Sequence, residues 1–66
     1  MTFYEVWPIV RTGSIAKRLT NENGPSEFVY IKFEDNHIKK KYDSNQTWVS
    51  KNLNDDDVAV DTWELT

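Results

Sequence analysis

Three stretches of the chain predict an α+β fold: one N-terminal helix packed on a small antiparallel sheet, with a short helical turn before the C-terminal strand. The first is FYEVWPIV, from Phe3 to Val10, where Phe3, Val6, Trp7 and Val10 recur at i, i+3, i+4 and i+7. The second is EFVYIKFEDNHIKKKY, from Glu27 to Tyr42, two strand-like runs on either side of Asp35-Asn36. The third is NDDDVAVDTWEL, from Asn54 to Leu65, a capped acidic turn that runs into an aromatic segment.

The helix begins with Thr2-Phe3-Tyr4-Glu5, a hydroxyl followed three residues later by a carboxylate, which is capping-box spacing. Pro8 falls inside the apolar stripe and removes the bond to the Tyr4 carbonyl, so either the helix kinks there or it starts later than the capping box implies. Gly13 is the stop, which gives a helix over residues 3–12. Ser14 to Leu19 alternates loosely as a short strand, and Thr20 to Ser26, TNENGPS, is a loop by composition.

Glu27 to Phe33 is the clearest strand, with Val29, Ile31 and Phe33 on one face and Phe28, Tyr30 and Lys32 on the other. A two-residue turn at Asp35-Asn36 sets Phe33 opposite Ile38, Lys32 opposite Lys39 and Tyr30 opposite Lys41. One face of that hairpin is then aliphatic, with Ile38, Lys40 and Tyr42 sharing a side of the return strand. DSNQ reads as a second turn and TWVS as a short strand.

In the tail, Asn54 caps a turn whose first positions are Asp55, Asp56 and Asp57. Carboxylates there face the unpaired N–H groups of a helix start, each interaction being worth about 0.3–1 kcal/mol. Val58, Ala59 and Val60 pack the turn inward, and Thr62 to Leu65 closes as a strand with Trp63 facing in. This reading accounts for most of the acids; a phosphate mimic remains the other use for them. DDDVAVD lacks the alternating acids and central Gly of an EF-hand loop, so no metal site is expected.

Composition bounds the function. With 66 residues the chain is a single domain over 1–66. A core this small supplies about 3–5 kcal/mol of net stability, and small proteins add disulfides, metals or oligomerisation. No cysteine and one histidine, His37, leave a homo-oligomer as the expected device. The N-terminus has neither the basic start nor the apolar stretch of a signal peptide, and no run is long enough to span a membrane, so the chain reads as cytoplasmic. A net charge of −3, from 11 acids and 8 bases, disfavours general nucleic-acid binding. Aromatics at 14% of residues argue against disorder.

The hairpin carries one candidate site. The hairpin face with Phe28, Tyr30, Lys32, Lys39 and Lys41 combines flat rings with cations, as a phosphorylated base requires. Two other uses stay open: the lysines protect an exposed edge from aggregation, or Phe28 and Tyr30 form a subunit interface. Lys17 and Arg18, at the end of a strand before a loop, are similar anion candidates, and Asp61, which follows the helical turn, is the acid that capping does not account for. Trp7, Trp48 and Trp63 read as core, and His37 as a surface residue. No nucleophile–base set, Gly-rich phosphate loop or metal cluster stands out, so neither catalysis nor a cofactor is expected.

FYEVWPIVRTGSIAKR (Phe3–Arg18), EFVYI (Glu27–Ile31) and DVAVDTWEL (Asp57–Leu65) together resemble the second Thoeris anti-defence family of small phage-associated domains. Members begin with an F-x-E-A-L-like helix, a Gly turn and a V-A-R strand, and close with D-x-L-A-x-D-W. Asp57, Asp61 and Trp63 keep that closing register, and the resemblance implies that the Asp61 carboxylate accepts from a ribose hydroxyl or base amine of a ligand. After Arg18 the family has a Gly-Trp pair where this chain has Leu19-Thr20-Asn21; Val60 stands for its Ala and Thr62 for its second acid. The resemblance implies a homo-oligomeric phage protein, acting in the host bacterial cytoplasm, that sequesters a cyclic nucleotide immune signal without chemistry. A cyclic ADP-ribose derivative or a cyclic dinucleotide is the implied ligand. The alternatives are a small acidic inhibitor that binds a host defence protein directly and an enzyme that degrades the signal.

Overall fold

The computed structural model describes residues 1–66. Its elements are α1 (Phe3–Val10), β1 (Ala16–Thr20), β2 (Glu27–Glu34), β3 (His37–Tyr42), β4 (Asn45–Ser50), α2 (Asp55–Ala59) and β5 (Glu64–Leu65). The fold is α+β, as the sequence predicts. The five strands are antiparallel in the order β4-β3-β2-β1-β5, so β1 to β4 form a meander and the C-terminal strand closes the far edge.

The capping box at Thr2 forms: Glu5 N donates to Thr2 Oγ1 at 3.2 Å and Thr2 N to Glu5 Oε1 at 2.8 Å. The helix therefore starts at the early position and runs through Pro8. It ends at Val10, shorter than the sequence pattern suggests, and residues 11–13 taper as turns that end on Gly13 at φ 111°. That left-handed backbone is one that glycine adopts without steric cost.

Asp35 and Asn36 have φ of 54° and 64°, the two consecutive positive values of a type I′ hairpin turn. The expected register follows: Phe33 opposes Ile38, Lys32 opposes Lys39 and Tyr30 opposes Lys41. Several strand boundaries differ from expectation: β2 runs one residue further, to Glu34, and the closing strand covers only Glu64–Leu65 instead of Thr62 to Leu65. β1 starts two residues later, at Ala16, and includes Thr20. The second turn is only Asp43-Ser44, where Asp43 accepts from Phe28 N at 3.0 Å, and β4 accordingly starts at Asn45. β4 is also irregular: Lys40 pairs with Val49 and Tyr42 with Asn45, so Gln46, Thr47 and Trp48 stand opposite Lys41 alone. Bulged strands of this kind twist and re-aim side chains.

Both helices lie on one side of the sheet. Phe3, Val6 and Val10 of α1 join Ala16, Ile31 and Trp63 in the core, with Trp7, Phe33, Leu53, Val58 and Val60 packed around them. Trp63, 1% exposed, is the largest buried side chain. Its indole N–H donates to the Asp57 carbonyl at 2.7 Å, which ties α2 to the closing strand. No helix is long and apolar enough to cross a membrane.

Candidate functional site

Strand alternation sends neighbouring residues to opposite faces. The face under the helices, called inner here, carries Ala16, Arg18, Val29, Ile31, Lys40 and Tyr42, all buried. The other face has no element over it. It carries Lys17, Phe28, Tyr30, Lys32, Lys39, Lys41 and, by way of the β4 bulge, Trp48.

On this open face ammonium groups rest on aromatic rings. Lys17 Nζ lies 4.5 Å from the Phe28 centroid and Lys32 Nζ 4.4 Å from that of Trp48. Lys41 Nζ is 4.9 Å from Tyr30 and 5.3 Å from Trp48. All lie within the roughly 6 Å over which a ring face attracts a cation. Phe28 and Tyr30 are themselves neighbours, with centroids 6.3 Å apart. Tyr30 is fixed by its hydroxyl, which donates to Asp43 Oδ1 at 2.9 Å; that bond raises its pKa.

The cations of this face divide into two kinds. Lys32 and Lys39 oppose each other in the ladder, an unfavourable like-charge pair. Glu34 bridges them, at 3.5 Å from Lys32 and 3.1 Å from Lys39. Hydrogen bonding from Lys39, and then the charge of Lys32, hold its carboxyl below the usual range. Lys17 and Lys41 enter no ion pair and have only rings as partners.

Of the sequence-predicted site residues, Lys17, Phe28, Tyr30, Lys32 and Lys39 therefore converge on one face. Arg18 does not. It is 3% exposed on the inner face, where Nη2 and Nε bond Asp57 Oδ1 at 2.7 and 3.2 Å and Nη2 also reaches Glu22 at 3.1 Å. As the immediate neighbour of Lys17 in a strand it points the opposite way. Asp61 also stands apart. It is exposed in the bend before β5, its carbonyl accepts from the N-terminal amine at 3.0 Å, and its carboxylate enters no hydrogen bond or ion pair.

Trp48 corrects the expectation that all three tryptophans are core. Trp63 is core and Trp7 is half-buried against it, stacked 5.5 Å from Phe3, whereas Trp48 belongs to the open face. A tryptophan following polar residues in NQTW carried little signal, because the register of a bulged strand is not written in its alternation. His37 is exposed, as expected.

Sequence reasoning missed the partners of Asp57. This residue is fully buried and accepts from Arg18, from Lys40 Nζ and from Asn54 N, the last at 2.9 Å. It is the third helical position of a second capping box, returned by Asp57 N to Asn54 Oδ1 at 2.9 Å. Asn54-x-x-Asp57 was the one signal that could have separated it from Asp55 and Asp56. Burial pushes its carboxyl up, but the bonds from Lys40, Asn54 and Arg18 outweigh burial and hold it below the ordinary carboxylate range. Glu22 extends the network to Asn54 and Tyr42. Burial likewise acts to raise Glu22, and bonding from Asn54 and the charge of Lys40 leave it lowered. Every buried side-chain polar atom has a partner. This network is a structural clamp, closed to ligands by its own satisfaction.

No protein-family model matches the chain, and no curated protein or solved structure matches it.

Proposed function

We propose that the open face binds a nucleotide, and that the protein withholds a nucleotide immune signal rather than transforming it. The observation that carries the reading is the set of lysine ammonium groups seated on Phe28, Tyr30 and Trp48 across an uncovered sheet face. Rings offer stacking surface to a base and ammonium groups offer charge to a phosphate. The resemblance of the chain ends to the second Thoeris anti-defence family supplies the signal class: a cyclic ADP-ribose derivative or a cyclic dinucleotide. The setting on this reading is the cytoplasm of an infected bacterium. A homo-oligomer suits it, because a second copy would add burial to a small core and enclosure to a flat face.

The rival, an acidic inhibitor of a host protein, loses the centre of its acidic segment, since Asp57 is engaged inside the fold and only Asp55 and Asp56 remain exposed beside it.

Native mass spectrometry with a panel of cyclic dinucleotides and cyclic ADP-ribose isomers tests the proposal. An oligomer that carries an intact ligand, and loses it when Lys41→Glu and Trp48→Ala are combined, is the expected result. Uptake of nothing, or recovery of a modified ligand, overturns it.

A further inference from the structure

The arrangement of rings and cations on the open face goes beyond a site for one base. The ladder aligns Lys17 of β1 with Tyr30 of β2, and Tyr30 with Lys41 of β3. These three residues form a row that crosses the strands. Adjacent strands lie about 4.8 Å apart, so the row is roughly 10 Å long between its outer backbones. Trp48 of β4 continues it, with Lys41 Nζ between the Tyr30 and Trp48 rings. Phe28 flanks its beginning, under Lys17. Across the sheet the order is therefore cation, ring, cation, ring.

The shape of the face is the second observation. The two recesses of the molecule lie elsewhere. One sits at the end of the β2–β3 hairpin beside Phe33, Ile38 and Lys51, and the other beside Arg18 and Asp56. Small ligands are held by clefts of about 300–1,000 Å³ that bury most of their surface. A flat face of alternating rings and cations cannot enclose a single nucleotide within one subunit. It suits a ligand that repeats base and phosphate along its length.

Charge distribution permits such a ligand although the net charge is −3. Of the acids that border the row, three are engaged and Glu64 is not. Asp43 accepts from Phe28 N and Tyr30 O–H, Glu27 accepts from Ser44, and Glu34 bridges Lys32 and Lys39. Glu64 opposes Lys17 in the ladder but forms no ion pair with it. Lys17 and Lys41 keep whole charges held only by ring faces. A phosphate is a stronger partner for an ammonium than a ring is. When it draws the ammonium aside, the ring face is uncovered for a base, so each contact prepares the next.

We infer that the open face is a binding track for single-stranded oligonucleotide, running across the strands from Lys17 and Phe28 through Tyr30 and Lys41 to Trp48. The inference rests on the nucleotide reading of this face and extends it from a small cyclic ligand to a linear one that repeats base and phosphate.

Fluorescence anisotropy of labelled oligothymidylate tests it, at a length of about eight nucleotides, within the roughly 4–16 that a small single-strand-binding fold covers. The expected result is affinity at least about tenfold above that for thymidine monophosphate, since each added stacked base contributes. With Lys17 and Lys41 on two phosphates, log K should fall against log salt with a slope of about −1.4, and Lys41→Glu should reduce that slope by about half. Trp48→Ala should weaken binding at least about fivefold and Trp48→Phe should restore most of it, because any ring stacks.

Equal affinity for the mononucleotide and the oligomer overturns the track and leaves the nucleotide reading standing. No binding of either, nor of the cyclic nucleotides above, overturns both. Oligomer binding unmoved by Lys41→Glu and Trp48→Ala, or matched by a duplex of the same length, places the contact elsewhere and overturns the track alone. Lys41 and Trp48 lie outside the core, so the variants are expected to fold, and dispersed amide resonances check that they do.

Discussion

Lys39, Lys40 and Lys41 are consecutive in β3 and have two fates. Lys40 is 1% exposed, turned inward onto the fully buried Asp57. Lys39 and Lys41 are turned outward, one toward Glu34 and one onto rings. The same side chain is thus a structural ion on one face and an available cation on the other, and a single step along the strand decides which. On the inner face, charge is tolerated because every ion is answered: Arg18 and Lys40 by Asp57, and Arg18 also by Glu22. On the outer face two cations are left without a carboxylate. The first arrangement fixes the fold and the second is open to a partner.

The comparison predicts that the largest loss comes from the acid that holds the inner cations. Asp57→Ala leaves Lys40 buried without a counter-ion and Arg18 with Glu22 alone, and breaking a buried pair in this way costs about 3–5 kcal/mol. That is comparable to the whole net stability of a domain this size, about 3–5 kcal/mol. Asp57→Ala is therefore expected to be unfolded at room temperature, with collapsed near-ultraviolet circular dichroism. A folded variant with an unchanged urea midpoint would contradict the clamp. Lys40→Met should cost less, about 1.5–3 kcal/mol by urea unfolding, because it removes one charged hydrogen bond while Arg18 still answers Asp57 and the methionine fills the space.

Acid should act on the same clamp. The folded-state pKa of Asp57 lies below its unfolded value, which is about 3.9. Its contribution is then fully present above about pH 4 and is lost as the pH falls through the folded pKa. Glu22 shifts in the same direction. The urea midpoint should be level near neutrality and fall below about pH 4. Asp57→Asn, where it folds, should flatten that acid limb. A midpoint that rises on acidification would reverse the sign and remove Asp57 as its source.

How much of this was legible follows from the two faces. The helix was readable from Thr2, Glu5 and the stripe Phe3, Val6, Val10, because capping and periodicity are local. The hairpin register was readable from Asp35-Asn36, because a two-residue turn fixes every pair beyond it. That register already put Lys40 on the inner face and Lys39 and Lys41 on the other. What it could not give was the answering charge. Asp57 is distant in the chain from both Arg18 and Lys40, and only its spacing from Asn54 sets it apart from its two neighbouring first-turn aspartates. Arg18 looked like a ligand contact for the same reason: an arginine at the end of a short strand shows no sign of its partner across the fold. Trp48 was misplaced because a bulge, unlike a turn residue, leaves no mark in the alternation.

On the open face the effects should appear in binding and not in stability. Lys41→Glu exchanges a cation held by rings for an anion among neighbours that are mostly cationic, and surface changes of this sort stay within about 0.5 kcal/mol. The thermal midpoint should barely move, while nucleotide affinity falls several-fold and its salt dependence weakens. A large stability loss with unchanged binding would make Lys41 a structural residue like Lys40 and erase the distinction between the faces.

Lys39 supplies the finest test, because it differs from Lys40 by one position and from Lys41 by its partner. Its ammonium meets Glu34 at 3.1 Å and Asp35 at 3.9 Å, both exposed carboxylates at the hairpin end. Exposed pairs of this kind are screened by water and salt and often contribute nothing measurable. Removing the charge also relieves the opposition between Lys39 and Lys32 across the ladder. Lys39→Gln is accordingly expected to leave the urea midpoint unchanged and, since Glu34 already neutralises this end of the face, to alter nucleotide affinity less than Lys41→Glu does. If instead the two variants weakened binding equally, the anion would sit between Lys39 and Lys41. The row from Lys17 to Trp48 would then have to turn along β3 rather than cross it.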